Sequence, residues 1–456
     1  MRTQLSDFAR NLIVDVARGL AVMIGMGGAA FASPAAPVEI KAELDRSVLP
    51  LGKTHKGYLR ISVTPARRAE ARRALMNVAL VIDRSGSMSS QGRMANARRA
   101  AKMAVDRLGA DDILSVVSYD DRIEVDVPAT KVLDSADVKA RIERLSPRGS
   151  TAIHAALLAA ANEVRKFKAK DRVNRIVLIS DGLANVGPSK PSDFERLGHE
   201  LASEGITVST IGLGTGYNED LMAGLARSGD GGHVFVQESA DLAAFLAREF
   251  DDVAATAGQE AEIIIKVKDG IRPLRALGRE ARIEGDRIVY RVGALYGGVE
   301  QVLISEIAID PATSAGEATV AEVEAVYTEP ANGARIRARG SALVRFDTDE
   351  VASQKSVNPS VMRDVTTLVS RAARQEAVKL RDAGRLDEAR ARFRSNAAYL
   401  RKQQSVFDKG GSHEPLAKEL KASEAAAAAT NMEQWSTARK VQRATDSNSF
   451  GASQKY

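Results

Sequence analysis

The sequence predicts an α/β protein: a doubly wound, mainly parallel sheet inserted in an antiparallel β-sandwich and followed by a small helical domain. Three observations carry this. Between residues 73 and 256, short apolar runs alternate with stretches of helical spacing, the pattern of βα units joined by right-handed crossovers. On either side, at 37–72 and 257–348, apolar and polar residues alternate with a period of two, as in half-buried strands. From 357 to 440 the spacing becomes helical and stays so.

The chain has 456 residues, enough for several domains with ample core. Hydrophobic residues make up 44% and charged residues 27%, which places it among globular proteins. The net charge of +6 is a small excess over 65 basic and 59 acidic residues, and no zinc-finger, RNP or helix-turn-helix pattern accompanies it. Nucleic acid is therefore not an expected partner. The absence of cysteine excludes disulfides, thiolate metal sites and thiol catalysis without fixing the compartment.

At the N-terminus, Arg2, Arg10 and Arg18 precede an uncharged, mostly apolar run over 19–31, and Ala30-Phe31-Ala32 offers small residues for cleavage. This is the pattern of a signal peptide over residues 1–32. An amphipathic N-terminal helix is the competing reading. The signal-peptide reading gives an exported protein, periplasmic or secreted to the cell envelope. The run is too short for a membrane anchor, and no other transmembrane segment is visible. Strands follow at 38–44 and 58–64, with Pro50 and Gly52 marking the turn between them. Arg67-Arg68-Ala69-Glu70-Ala71-Arg72-Arg73 is a basic linker, either a solvated loop or a peripheral contact with an anionic envelope surface.

The run Met76-Asn77-Val78-Ala79-Leu80-Val81-Ile82 reads as a strand buried on both faces, and it ends in Asp83-Arg84-Ser85-Gly86-Ser87. A tight turn at Gly86 can point one carboxylate and two hydroxyls at a single spot, and hard oxygen donors suit Mg²⁺. Open α/β sheets bind their ligands at such strand ends. Alone, the pattern equally fits a helix N-cap. Two later stretches bear on the choice. Ser150 and Thr151 stand at a loop-to-helix transition in Arg148-Gly149-Ser150-Thr151-Ala152-Ile153, and Asp181 ends a second buried strand, Arg175-Ile176-Val177-Leu178-Ile179-Ser180-Asp181.

In spacing, order and context these stretches resemble the von Willebrand factor type A domain and its metal-ion-dependent adhesion site, over roughly residues 73–256. The resemblance implies a Rossmann-like sheet and a ligand set of Asp83, Ser85, Ser87, Thr151 and Asp181. It implies Mg²⁺ as the ion, with Mn²⁺ or Ca²⁺ as possible occupants, and a protein partner that presents an Asp or Glu to it. The layout as a whole resembles bacterial exported type A proteins and the inter-alpha-trypsin-inhibitor heavy chains. The expected function is thus partner binding rather than catalysis. The competing expectation is an envelope structural or assembly scaffold in which the site is not the binding surface.

The remaining elements of 73–256 are a helix at 94–108, strands at 112–119 and 122–127 joined by Asp120-Asp121, and a helix at 151–167. A helix at 194–204, a strand at 206–213, a helix at 219–227, a strand at 233–236 and a helix at 241–253 complete it. Other chemistries find little support. Gly212-Leu213-Gly214-Thr215-Gly216 lacks the GxGxxG spacing and a Walker lysine. Ser85 is not flanked as in a nucleophile elbow, and neither His199-Glu200 nor His413-Glu414 is completed by a second histidine. His154 is read as a packed or surface histidine. Strands are expected at 262–268, 282–284, 287–292, 301–309, 318–327 and 335–346. Asn358-Pro359 then opens a helical domain with a turn at Ala383-Gly384-Arg385, a third helix at 416–439 carrying Trp435, and a disordered tail over 441–456.

Overall fold

The computed structural model describes residues 38–66, 74–407, 414–429 and 432–448. The expected signal peptide at 1–32, the basic linker at 67–73 and the end of the expected tail lie outside the described residues.

The inserted domain is built on a six-stranded sheet in the order β6-β5-β4-β7-β8-β9. Its strands are β4 (Leu75–Asp83), β5 (Ile113–Tyr119), β6 (Ile123–Lys131), β7 (Arg172–Ser180), β8 (Ile206–Leu213) and β9 (Asp230–Val236). All pairings are parallel except that of β6, which returns from β5 across the Asp120-Asp121 turn. β4 and β7 sit in the middle and are buried on both faces, which is why they read as unbroken apolar runs. Helices Arg93–Val105 and Leu242–Ala254 cover one face, where Leu80, Ile82 and Phe250 share a core. Helices Ile153–Lys166, Pro191–Ser203 and Glu219–Ser228 cover the other, around Val81, Leu178 and Phe194. A short helix, Ser135–Glu143, was not expected; it carries only Val138 and Ile142 as buried residues, and Asp134 caps it by accepting from the Ala136 and Asp137 amides.

The sandwich is split by the insertion, as expected. One sheet has the order β1-β3-β14-β11 and the other β12-β13-β10-β15-β16-β2. β1 (Val38–Leu44), β2 (Val48–Pro50) and β3 (His55–Pro65) precede the inserted domain. β10 (Thr256–Val267), β11 (Ile271–Leu277), β12 (Arg282–Glu284), β13 (Arg287–Tyr296), β14 (Gln301–Ile309), β15 (Gly316–Thr328) and β16 (Arg335–Asp347) follow it. Leu59, Ile61 and Val63 of β3 meet Ile263, Ile265 and Val323 in the shared core. Two strands depart from expectation. β11 runs through Pro273, and β2 pairs parallel with β16 in an otherwise antiparallel sandwich.

Helix Pro359–Asp382 starts with Asn358 accepting from the Ser360 and Val361 amides, and it docks Val361 and Val365 against Ile304 of β14. Arg60 of β3 reaches Asp364 at 2.7 Å and ties the two together. Gly384, at a φ of 77°, makes the turn into helix Leu386–Phe407. The third helix expected at 416–439 is two helices, Glu414–Ala428 and Met432–Asn448. The break lets Trp435 fold back edge-on to Phe393, at 6.1 Å between ring centroids, with the Arg381 guanidinium stacked 4.2 Å over its ring. Arg381 also donates to the Ala429 carbonyl and so caps the helix that ends there. The last helix continues through Asn448, beyond the expected tail boundary, because Arg439, Lys440 and Arg443 pair with Glu219 and Asp220 of the inserted domain. Among the described residues no helix is long and apolar enough to cross a membrane.

Candidate metal centre

From the middle of the sheet the chain moves from β4 to β5 on one side and from β7 to β8 on the other. A crevice opens outside the strand ends at such a reversal. Asp83 ends β4 and Asp181 follows the last residue of β7, so two carboxylates stand at its mouth.

Asp83 is fully buried. Its Oδ1 accepts the Ser85 amide at 2.8 Å, which turns the chain sharply after the strand, and its Oδ2 accepts the Ser180 hydroxyl at 2.6 Å. The Ser85 and Ser87 hydroxyls are 3.0 Å apart, and Ser87 donates to Asp181 Oδ1 at 2.7 Å. Buried Met88 anchors the turn from below, while the Gly86 amide donates to the Gly149 carbonyl at 3.1 Å.

Thr151 comes from a third loop. The helix expected from 151 begins only at Ile153, which leaves Thr151 on the loop with its amide donating to the Asn185 side chain at 2.8 Å. That loop is pinned to the Asp120-Asp121 turn: Arg148 donates to Asp120 Oδ2 at 2.6 Å, and the Ala152 amide to the Asp120 carbonyl at 2.9 Å. Burial opposes ionisation of Asp120, yet the hydrogen bond from Arg148, the Arg122 amide and the charge of Arg84 hold its carboxyl below the usual range.

Gly182 locates where these loops converge. A methyl group placed on it would stand 3.3 Å from Thr151 Oγ1, 3.6 Å from Ser87 Oγ and 3.7 Å from Asp83 Oδ2. With Ser85 bonded to Ser87, and Ser87 to Asp181, the five expected residues form one cluster of oxygens. Burial pushes the Asp83 carboxyl up to about 6, against the hydrogen bonds from Ser180 and Ser85, and the neighbouring Asp181 charge adds to the rise.

The family model of the von Willebrand factor type A domain matches residues 77–248. The chain carries a von Willebrand factor type A domain. Curated relatives agree. An uncharacterized protein of Synechocystis, sll0103, is 28% identical over 290 residues, covering 61% of this chain and 68% of its own length. The uncharacterized protein YfbK of Escherichia coli is 27% identical over 226 residues, 49% of this chain and 39% of that protein. The human inter-alpha-trypsin inhibitor heavy chain H2 is 32% identical over 163 residues, 34% of this chain and 17% of the heavy chain. The chain thus spans about two thirds of the first relative and well under half of the other two. Among solved structures, a von Willebrand factor type A protein from Catenulispora acidiphila superimposes with a TM-score of 0.72 at 17% identity, covering 91% of this chain and 97% of that one. The ArnB paralog VWA2 from Sulfolobus acidocaldarius gives 0.58 at 16% identity, covering 90% and 99%. These two likenesses extend the common fold beyond the type A domain to the sandwich and helices.

Three further side chains belong to the type A site and were not expected. Ser180, one residue before Asp181, orients Asp83. Tyr119 is fully buried on β5 directly opposite Asp83 in the strand register. Arg93 donates to Asp181 Oδ2 at 2.6 Å. The glycines at 212–216 serve as packing positions rather than a phosphate cradle: a side chain on Gly212 would strike the Tyr217 ring, and one on Gly216 would crowd the Asp181 carbonyl. His154 packs edge-on against Phe194 at 5.6 Å. Among the described residues no group of three or more His, Cys, Asp or Glu side chains is placed to hold a metal. The oxygen cluster has two carboxylates, Asp83 and Asp181, and its other oxygens are the hydroxyls of Ser85, Ser87 and Thr151.

Proposed function

We propose that the type A domain holds a divalent cation, Mg²⁺ with Mn²⁺ or Ca²⁺ as substitutes, and captures a protein partner through an Asp or Glu side chain. The observation that carries this is the convergence of Thr151 Oγ1, Ser87 Oγ and Asp83 Oδ2 on one point above Gly182. Asp83, Ser85, Ser87, Thr151 and Asp181 would hold the ion, and their oxygens are the hard donors that Mg²⁺ takes. A buried carboxylate that burial disfavours as an anion, as at Asp83, also fits a neighbouring cation. When bound, the ion would supply a Lewis-acidic centre able to accept a partner's carboxylate.

The chain's own groups prepare that event. Ser180 and the Ser85 amide fix both oxygens of Asp83, and the Asn185 side chain fixes the Thr151 loop. Holding donors in place before binding reduces the ordering that binding must impose. The three hydroxyl positions are uncharged, so they add nothing to the negative charge of Asp83 and Asp181 that an acidic ligand would have to face. The protein acts by binding rather than by catalysis, outside the cytoplasm, on the strength of the leader pattern at 1–32.

Calorimetry with Mn²⁺ tests the site: Asp83→Ala should abolish binding and retain the fold, and unchanged affinity would falsify the assignment. Partner capture from envelope extract in Mg²⁺ or EDTA tests the function. A second reading, a scaffold that binds through the sandwich or helices, is favoured by the Arg93–Asp181 pair, which already supplies Asp181 with a cation. Capture indifferent to EDTA would support it.

A further inference from the structure

Arg93 is the first residue of helix Arg93–Val105, and its side chain leaves the helix to lie on Asp181, a carboxylate with no solvent exposure. The contact has a built seat. Nη1 donates to Asp181 Oδ2 at 2.6 Å, and Nη2 donates to Gln91 Oε1 at 2.8 Å. Gln91 presents that oxygen from a left-handed backbone conformation, at a φ of 52°, which side chains other than glycine rarely adopt. On the far side Gly214 leaves the room: a Cβ there would lie 2.9 Å from Nη2, and its own φ of 63° suits glycine. Only 14% of the Arg93 side chain is exposed, so its charge acts on the site with little solvent between them.

We propose that Arg93 is the specificity-determining residue that makes the metal-loaded site select an anionic ligand over a neutral one. This rests on the metal-binding reading given above. Two carboxylates, Asp83 and Asp181, less one guanidinium leave the empty ligand set with a single net negative charge. A divalent ion then leaves one positive charge in excess, and one carboxylate from a partner cancels it. Without Arg93 the loaded site would be neutral, and a carboxylate would gain little over water or a neutral oxygen. Arg84 does not change this balance, since it is paired with Asp120 and Glu124. The same guanidinium, by repelling the ion and occupying Asp181 Oδ2, weakens resting metal affinity. Arg93 therefore pushes the two affinities in opposite directions, which a purely structural pair would not do.

The test uses the full chain and two probes, Mn²⁺ alone and then acetate added to the Mn²⁺-loaded protein, followed by calorimetry and by water-proton relaxation. Arg93→Gln should bind Mn²⁺ about tenfold more tightly and acetate about tenfold more weakly, the scale on which one nearby charge moves an ionic equilibrium. Arg93→Lys keeps the charge and should stay close to the native protein in both. Affinities that do not move in Arg93→Gln, or that fall together, would overturn the role of Arg93 while leaving the metal site intact. A native protein that takes up no Mn²⁺ would instead sink the metal reading and this inference with it.

Discussion

The Arg175 guanidinium, in the middle of the type A sheet, donates to the hydroxyl of Tyr296 in the sandwich at 2.6 Å, and both side chains are buried. Arg175 is also bonded to Thr207 Oγ1 at 2.9 Å and to Glu249 at 2.5 Å, so one side chain joins two strands, a helix and the neighbouring sheet. A charge in this position is tolerable because each guanidinium nitrogen has an acceptor. Tyr296→Phe should leave one donor unsatisfied and lower stability by about 1–3 kcal/mol. Urea unfolding followed by far-UV circular dichroism measures it. A loss below about 0.5 kcal/mol would mean that the hydroxyl is not needed to join the domains.

Gly182 provides a test of the site that touches none of its ligands. Gly182→Ala adds a methyl group 3.3–3.7 Å from three of the oxygens, without a positive φ to strain. Stability should change by less than about 1 kcal/mol, while Mn²⁺ affinity should drop at least about tenfold as the oxygens are forced apart. Native-like Mn²⁺ binding by this variant would place the ion elsewhere.

How much of this was legible in the sequence depended on how local the signal was. β4 and β7 were plain because burial on both faces demands continuous apolar residues, and the sandwich strands because one wet face demands alternation. β11 was not, since Pro273 and two arginines interrupt its pattern, and β2 is only three residues long. The break between the last two helices was hidden in an alanine-rich stretch whose spacing fits a single helix; tertiary contacts of Trp435 and Arg381 decide it. At the site, Asp83, Ser85 and Ser87 lie within one turn and could be read directly, whereas Thr151 and Asp181 needed the resemblance to a known pattern. Ser180 and Arg93 carry no such signal, for their partners Asp83 and Asp181 are 97 and 88 residues away.

The C-terminal helix should depend on one acidic side chain of the type A domain. Glu219 accepts from Lys440 Nζ at 2.6 Å and from Arg439, and Lys440 is only 3% exposed. Burial opposes the charge on Glu219, yet Lys440 and Arg439 hold its carboxyl below the usual range. Glu219→Gln leaves Lys440 buried without its countercharge, a change worth about 3–5 kcal/mol when a buried pair is broken. Helix Met432–Asn448 can escape that cost by undocking. Hydrogen exchange should therefore show faster exchange over 432–448, with the central strands unchanged. Equal protection in the variant would show that Trp435 and the pairs of Arg439 and Arg443 with Asp220 retain the helix without Glu219.

His233 should make stability fall in mild acid. It is fully buried in β9, with Thr210 Oγ1 at 2.9 Å from Nδ1 and the Tyr217 hydroxyl at 3.2 Å from Nε2. Burial pushes its pKa down from 6.5 to about 4; the hydrogen bond to Thr210 and the charge of Glu219 work the other way, and Lys440 adds to the depression. Above pH 6.5 the ring is neutral whether the chain is folded or unfolded, so it contributes no slope. Between pH 6.5 and 4 the unfolded chain takes up a proton that the folded protein refuses, and stability drops as pH falls through that window. Below about 4 both states are protonated and the loss is complete, at about 3 kcal/mol from 1.36 kcal/mol per pKa unit. His233→Asn should be less stable at pH 7, because the two hydrogen bonds are disturbed, but it should lack this slope. The difference between the two unfolding curves from pH 7 to 4 isolates the group. Parallel curves would mean that His233 takes up its proton as readily in the folded protein as in the unfolded chain, with the Tyr217 hydroxyl turned to accept from it.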